Sequence, residues 1–163
     1  MVADEDILVN VDNDNLIGKG FPEDVVTHMV SGYTVLQYED GDGTCGRIAC
    51  WRKEFLDIRG YDEDAFPMGA QDTDLVFRLK MLHKSQVYQK VKQTVFSQAI
   101  PNDLQAKVAC CDPQLVDKNG KVLRWGQMDT MNRAIFQARR EGGDVRRNLE
   151  KKQIGVRCKR IRA

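Results

Sequence analysis

A chain of 163 residues is long enough for one domain that buries about two thirds of its unfolded surface. No run of eighteen apolar residues occurs, and the first six residues, Met-Val-Ala-Asp-Glu-Asp, are acidic where a leader peptide is basic, so the chain as it stands is expected to be soluble, with any anchor or secretion signal outside it. The net charge of +1 conceals an uneven distribution, with 17 acids against 7 bases in residues 1–80 and 7 acids against 18 bases in residues 81–163. An acidic half able to hold a cation and a basic half able to meet phosphate suit a metal-bound anionic ligand; two solvated faces attracting each other account for the same numbers.

Residues 7–15, Ile-Leu-Val-Asn-Val-Asp-Asn-Asp-Asn, open with β-prone apolar side chains and stop at acids and amides that no buried strand could carry further. A strand ending there leaves Asp12 and Asp14 at its carboxyl edge, where open α/β sheets bind ligands. Two carboxylates one residue apart can share a hard divalent cation, whereas a polar turn explains them without a ligand. Gly18 and Gly20 then form a loop before a short helix predicted over residues 22–30, with Pro22 in its first turn. Residues 33–38 read as a strand, 39–43 as a tight turn, 47–51 as a second strand, and 52–58 as one or two helical turns closed by Gly60.

An aromatic and acidic loop over residues 61–72 ends at the clearest helix of the first half, where Leu75, Val76, Leu79 and Leu82 recur at helical spacing. Asp72 or Thr73 is its natural N-cap, which places Asp72 or Asp74 at the positive end of a helix. Residues 86–99 read as one or two strands and 101–110 as a helix. Residues 115–123 carry Asn119-Gly120, a strong hairpin signal. Met128, Met131, Ile135, Phe136 and Ala138 predict the apolar core face of a helix ended by Gly142 and Gly143. From Arg139 onward there are 10 bases, 3 acids and no aromatic residue, with Ile154, Val156 and Ile161 interleaved. This is read as a basic extension, partly packed; without aromatics a nucleic-acid arm is the weaker reading. The five cysteines (45, 50, 110, 111 and 158) form no Cys-x-x-Cys pair and are expected to be buried thiols rather than a disulfide or zinc framework.

A calcium loop starting at Asp12 fails, because its fifth position is Leu16 and its sixth, where glycine is required, is Ile17. Phosphate-loop, His-Glu-x-x-His and Gly-x-Ser-x-Gly patterns are absent from the sequence. What remains is acids at a strand end (Asp12, Asp14) and acids at a helix start (Asp72, Asp74) after a glycine-bearing loop. A metal-assisted transfer needs one set to hold the cation and another to take a proton from the attacking hydroxyl. Asp72, beside Gly69, is the better base candidate; the alternative is that it only caps the helix.

Residues 7–15 resemble the Asp-x-Asp region of GT-A glycosyltransferases. Gly46-Arg-Ile-Ala-Cys-Trp-Arg-Lys-Glu-Phe-Leu-Asp-Ile-Arg-Gly-Tyr-Asp-Glu63 is similar to their acceptor-side segment, and Gly69-Ala-Gln-Asp-Thr-Asp-Leu75 to the Trp-Gly-x-Glu-Asp-x-Asp-Leu of the galactosyltransferase and chondroitin-synthase-like, family-2-like branches. The three motifs stand in family order over residues 7–79. The resemblance implies an α/β fold with a GT-A-like mixed sheet flanked by helices, in a partial catalytic domain over residues 1–138, followed by the basic extension over 139–163. It implies a hexosyltransferase-like enzyme that moves a sugar from a uridine-diphosphate (UDP) sugar to a carbohydrate hydroxyl with Mn2+ or Mg2+. Asp12 and Asp14 would hold the metal and donor, Asp72 would be the base, and Trp51, Gly69, Gln71 and Asp74 would lie on the acceptor side, although Trp51 suits a core equally well and Asp74 is as readily structural as an acceptor contact.

Gln71 stands where the family has Glu, the motif tryptophan and second glycine are missing, and neither His28 nor His83 matches the late histidine that many members supply to the metal. Only six residues precede the Asp-x-Asp strand, so the resemblance implies nucleotide-binding βαβ units contributed by a missing N-terminal half of the same enzyme, and the Golgi lumen if that enzyme is eukaryotic. The rival expectation is a non-catalytic carbohydrate- or nucleotide-binding remnant of the fold.

Overall fold

The computed structural model describes residues 6–12, 15–39, 46–83, 88–92, 97–99, 115–143 and 145–150. In chain order these form β1 (Ile7–Asn10), β2 (Asn15–Ile17), α1 (Phe21–Val30), β3 (Val35–Glu39), β4 (Arg47–Trp51), α2 (Arg52–Asp57), α3 (Gln71–His83), β5 (Tyr88–Lys92), β6 (Ser97–Ala99) and α4 (Trp125–Glu141). The fold is mixed α/β: a small four-stranded sheet in the order β1-β4-β3-β5 is flanked by helices, and β2 pairs with β6 in a separate antiparallel ribbon. β4 runs against both β1 and β3, whereas β3 and β5 are parallel, so β1, β3 and β5 all point the same way.

Alternation along the strands divides the core between the two faces of this sheet. Val35, Ile48 and Cys50 face α2 and α3, packing with Ile58, Leu75, Val76 and Leu79. Leu36, Tyr38 and Ala49 face the other way, onto Phe21, Val25 and Met29 of α1. The near-continuous apolar run of β4 is thus a strand covered on both sides. A smaller cluster, Leu123 and Met128 with Phe66, Met68 and Leu115, ties α4 to the loop before α3.

The strand expected from Ile7 stops before the acids, as β1 ending at Asn10, while Asn15–Ile17 form β2 in a ribbon of their own. The Asn119-Gly120 signal corresponds to a tight turn closed by a Val116–Val122 bridge, with Gly120 at φ 75° and the Asp117 carboxylate accepting the Asn119 and Lys121 amides at 2.8 and 3.0 Å. The apolar stripe predicted for α4 is corrected: the buried residues are Met128, Asn132 and Phe136, while Met131 is exposed, because the face turned inward meets a polar loop. α4 also runs through the expected division at 138–139. The helix predicted over 101–110, Asp14, and the cysteines other than Cys50 lie outside the described residues. Cys50 is a buried free thiol. No helix among the described residues is long and apolar enough to cross a membrane.

Candidate functional site

Because β1, β3 and β5 run together, their carboxyl ends share one edge of the sheet. Asp12 follows β1 on that edge. The Asn10 side-chain amide donates to the Gly46 carbonyl at 2.6 Å, fastening the end of β1 to the start of β4. The Asp12 carboxylate lies against the Cα of Gly46, and a Cβ at that position would run into both of its oxygens. A side chain at residue 46 would therefore displace the Asp12 carboxylate, so what glycine gives here is space rather than dihedral freedom.

Asp72 reaches the same edge from α3. Gly69 (φ 88°) and Ala70 (φ 60°) are both left-handed and turn the chain into the helix at Gln71. Neither Asp72 nor Thr73 precedes the helix as a cap; Asp72 is its second residue, and its Oδ1 accepts the Tyr61 hydroxyl at 2.8 Å. Burial pushes the Asp72 carboxyl above the usual carboxylate range; the Tyr61 hydrogen bond opposes this, and the charge of Asp12 adds to it. The two acids singled out in the sequence thus sense each other. Tyr61 is held protonated by burial, by Asp72 and by the more distant Asp12 and Cys50, so it acts only as a donor here. Burial, reinforced by Glu54, pushes the Cys50 thiol up to about 12, which removes it as a nucleophile near neutral pH.

Two asparagines not singled out in the sequence hold the two ends of the loop that leads into Asp72. Asn132 of α4 is fully buried; its Oδ1 accepts the Phe66 amide at 2.8 Å, and its Nδ2 is shared among the carbonyls of Phe66, Met68 and Gly69 at 3.0, 3.0 and 2.8 Å. Asn148 accepts the Glu63 amide at 3.1 Å and donates to the carbonyls of Arg59 and Tyr61 at 3.0 and 2.8 Å. The one sequence signal for Asn132 is its place between Met128 and Phe136 at four-residue spacing, an amide in core register.

The acceptor-side expectations fare unevenly. Asp74 is corrected. It is fully buried, bonded to Arg78 Nε at 2.7 Å, with Arg140 and Arg147 near its other oxygen at 3.8 and 3.9 Å, so it cannot meet an acceptor. Trp51 is not brought to the site either. It pairs with Ile7 at the opposite end of the β1–β4 ladder from Asp12 and packs on the α1 face, because β4 continues for its full length past the edge that carries Asp12. Gln71 donates to the Phe66 carbonyl at 2.6 Å and braces the loop. Gly69 abuts Asp129 of α4, where a Cβ would approach the Asp129 Cβ to 2.5 Å. Among the described residues no group of three His, Cys, Asp or Glu side chains could hold a metal. Asp12 offers one hard oxygen ligand, and Asp14, the second ligand expected from the sequence, lies outside the described residues.

Two grooves lie elsewhere, one of about 390 Å³ at Asp64, Arg139 and Arg147 and one of about 650 Å³ at Phe66, Leu123 and Met131; neither is lined by Asp12 or Asp72. No protein-family model matches the chain, and no curated protein or solved structure matches it.

Proposed function

We propose that this chain is the acceptor-side part of a metal-dependent, GT-A-like glycosyltransferase that moves a sugar from a UDP-sugar donor to a carbohydrate hydroxyl. The observation that carries the reading is the convergence of Asp12 and Asp72, from a strand end and a helix start, within electrostatic reach of each other. Asp72 has the attributes of a general base. A carboxylate with a raised proton affinity takes a hydroxyl proton more readily, and the Tyr61 bond holds its second oxygen in a defined direction. Mn2+ or Mg2+ held by Asp12 and Asp14 would neutralise the charge that develops on the leaving diphosphate. Gly46 keeps the space that Asp12 occupies. Gln71, in place of a second acid, braces the loop through the Phe66 carbonyl.

Calorimetric titration with Mn2+ and UDP, alongside transfer assays with a panel of UDP-sugars, tests the reading. Metal-dependent UDP binding is expected, weakened in Asp14→Ala and retained in Asp72→Asn, with transfer lost in both. Absence of UDP binding at millimolar Mn2+ would sink the proposal, and normal turnover in Asp72→Asn would sink the base assignment. UDP binding without transfer or donor hydrolysis would identify a non-catalytic binding module.

A further inference from the structure

We infer that Asn132 is a positioning residue for Asp72: from α4 it sets the path of the 66–70 loop and thereby aims the Asp72 carboxylate. The inference rests on the base assignment above for its chemistry and on geometry for its mechanism. A loop of five residues entering a helix through two successive left-handed residues, one of them Ala70, has a backbone that alanine adopts reluctantly. Such a path persists only where its surroundings over-determine it. Asn132 supplies that constraint. One fully buried side chain accepts the Phe66 amide and donates among three carbonyls, those of Phe66, Met68 and Gly69. Gly69 then sits against Asp129, one helical turn before Arg133 and on the same helix as Asn132, so the loop has no room to shift toward α4. Gln71 closes the arrangement from inside by donating to the Phe66 carbonyl, which makes that carbonyl common to Asn132 and to the first residue of α3. Any movement of Phe66 is therefore passed to Gln71 and to its neighbour Asp72.

A merely structural asparagine would lower stability without redirecting Asp72. The Tyr61 hydroxyl, bonded to Asp72 but held at the far end of that loop by Asn148, reports that direction. With 3-fluorotyrosine incorporated into the full chain and the Tyr61 resonance assigned through Tyr61→Phe, Asn132→Ala is expected to move that resonance toward its position in Asp72→Ala. The other three of the four tyrosines should keep theirs. A folded Asn132→Ala protein with the Tyr61 resonance at its wild-type position overturns the proposal. Should Asn132→Ala fail to fold, hydrogen exchange on the wild-type protein decides: the Phe66 amide is expected to exchange as slowly as those of α3, and fast exchange there overturns the proposal equally. Where the wild-type protein transfers sugar, Asn132→Ala should lower kcat on the order of a hundredfold at unchanged donor KM, and an unchanged kcat would count against it. A wild-type protein without transfer activity sinks the sugar-transfer reading alone, since the fluorine and exchange results stand without turnover.

Discussion

The first turn of α3 carries two aspartates of identical chemistry in opposite surroundings. Asp74 points into a knot of arginines: Arg78 bonds it through Nε at 2.7 Å and donates through Nη1 to the carbonyls of Ile58 and Gly60, while Arg147 bridges to Asp62, which Arg139 also holds. Arg140 completes this side by lying 4.1 Å from the centre of the Phe77 ring. Asp72 points the other way, toward a tyrosine hydroxyl and a second acid, and among the described residues no lysine or arginine pairs with it. Asp74 is a buried acid that the fold has surrounded with guanidinium groups. Asp72 has a hydroxyl in place of a cation and a carboxyl pushed up by burial and by the charge of Asp12, and a carboxyl perturbed in that way is the usual mark of a site built to meet something else. Two residues of helix, a rotation of about 200°, separate the structural role from the functional one.

The difference can be broken most forcefully on the paired side. Asp74→Asn leaves Arg78 buried without a counter-charge and is expected to destabilise the chain by about 3 kcal/mol in urea unfolding; a loss below about 1 kcal/mol would show that the knot contributes packing rather than charge pairing.

On the unpaired side the same change should act in the opposite direction. The Asp72 carboxyl binds its proton more tightly in the folded chain than in the unfolded one. Folding stability is accordingly lost as the pH rises from the ordinary carboxylate value of about 4 through the raised folded value, and the ionised carboxylate destabilises the fold above both. Asp72→Asn removes that charge and leaves an oxygen for Tyr61. Its Tm should exceed that of the wild type at pH 7, and the gain should vanish at about pH 3, where Asp72 is protonated in both states. No gain at pH 7, or an equal gain at both, would break the comparison.

The smallest effect on stability is expected at Gly46→Ala, within a few tenths of a kcal/mol, because the added methyl meets only the end of the Asp12 side chain. The same substitution displaces the carboxylate and should weaken Mn2+-dependent UDP binding at nearly constant Tm. Unchanged binding would mean that Asp12 does not hold the metal from its place on Gly46.

Much of the frame could be read in advance because its signals are local. β propensity placed β4 from Arg47 to Trp51, apolar spacing through Leu75 and Leu79 placed α3, and Asn119-Gly120 placed the turn between Val116 and Val122. The end of β1 at a run of acids and amides marked Asp12 as a candidate for the same reason, since charge cannot continue into a buried strand. The surroundings that divide Asp72 from Asp74 were only partly legible. Spacing puts both on the first turn and Arg78 four residues after Asp74, but Arg140 and Arg147 are brought to Asp74 by the packing of α4 and the segment after it. Trp51 was misplaced for a related reason: adjacency in sequence to an acceptor-like motif says nothing about which face and which end of a strand a side chain occupies once the register is set.

The sequence by itself determined the elements, their order and the two acidic stations, because propensity, periodicity and the exclusion of charge from a buried strand act over a few residues. Only the tertiary structure decided that Asp12 and Asp72 share one edge, that Asp74 is structural, and that Asn132 and Asn148 hold the loops between them. Those relations depend on strand register, on helix rotation and on hydrogen bonds from one buried amide to several distant carbonyls, all of which come into being only when the chain closes on itself.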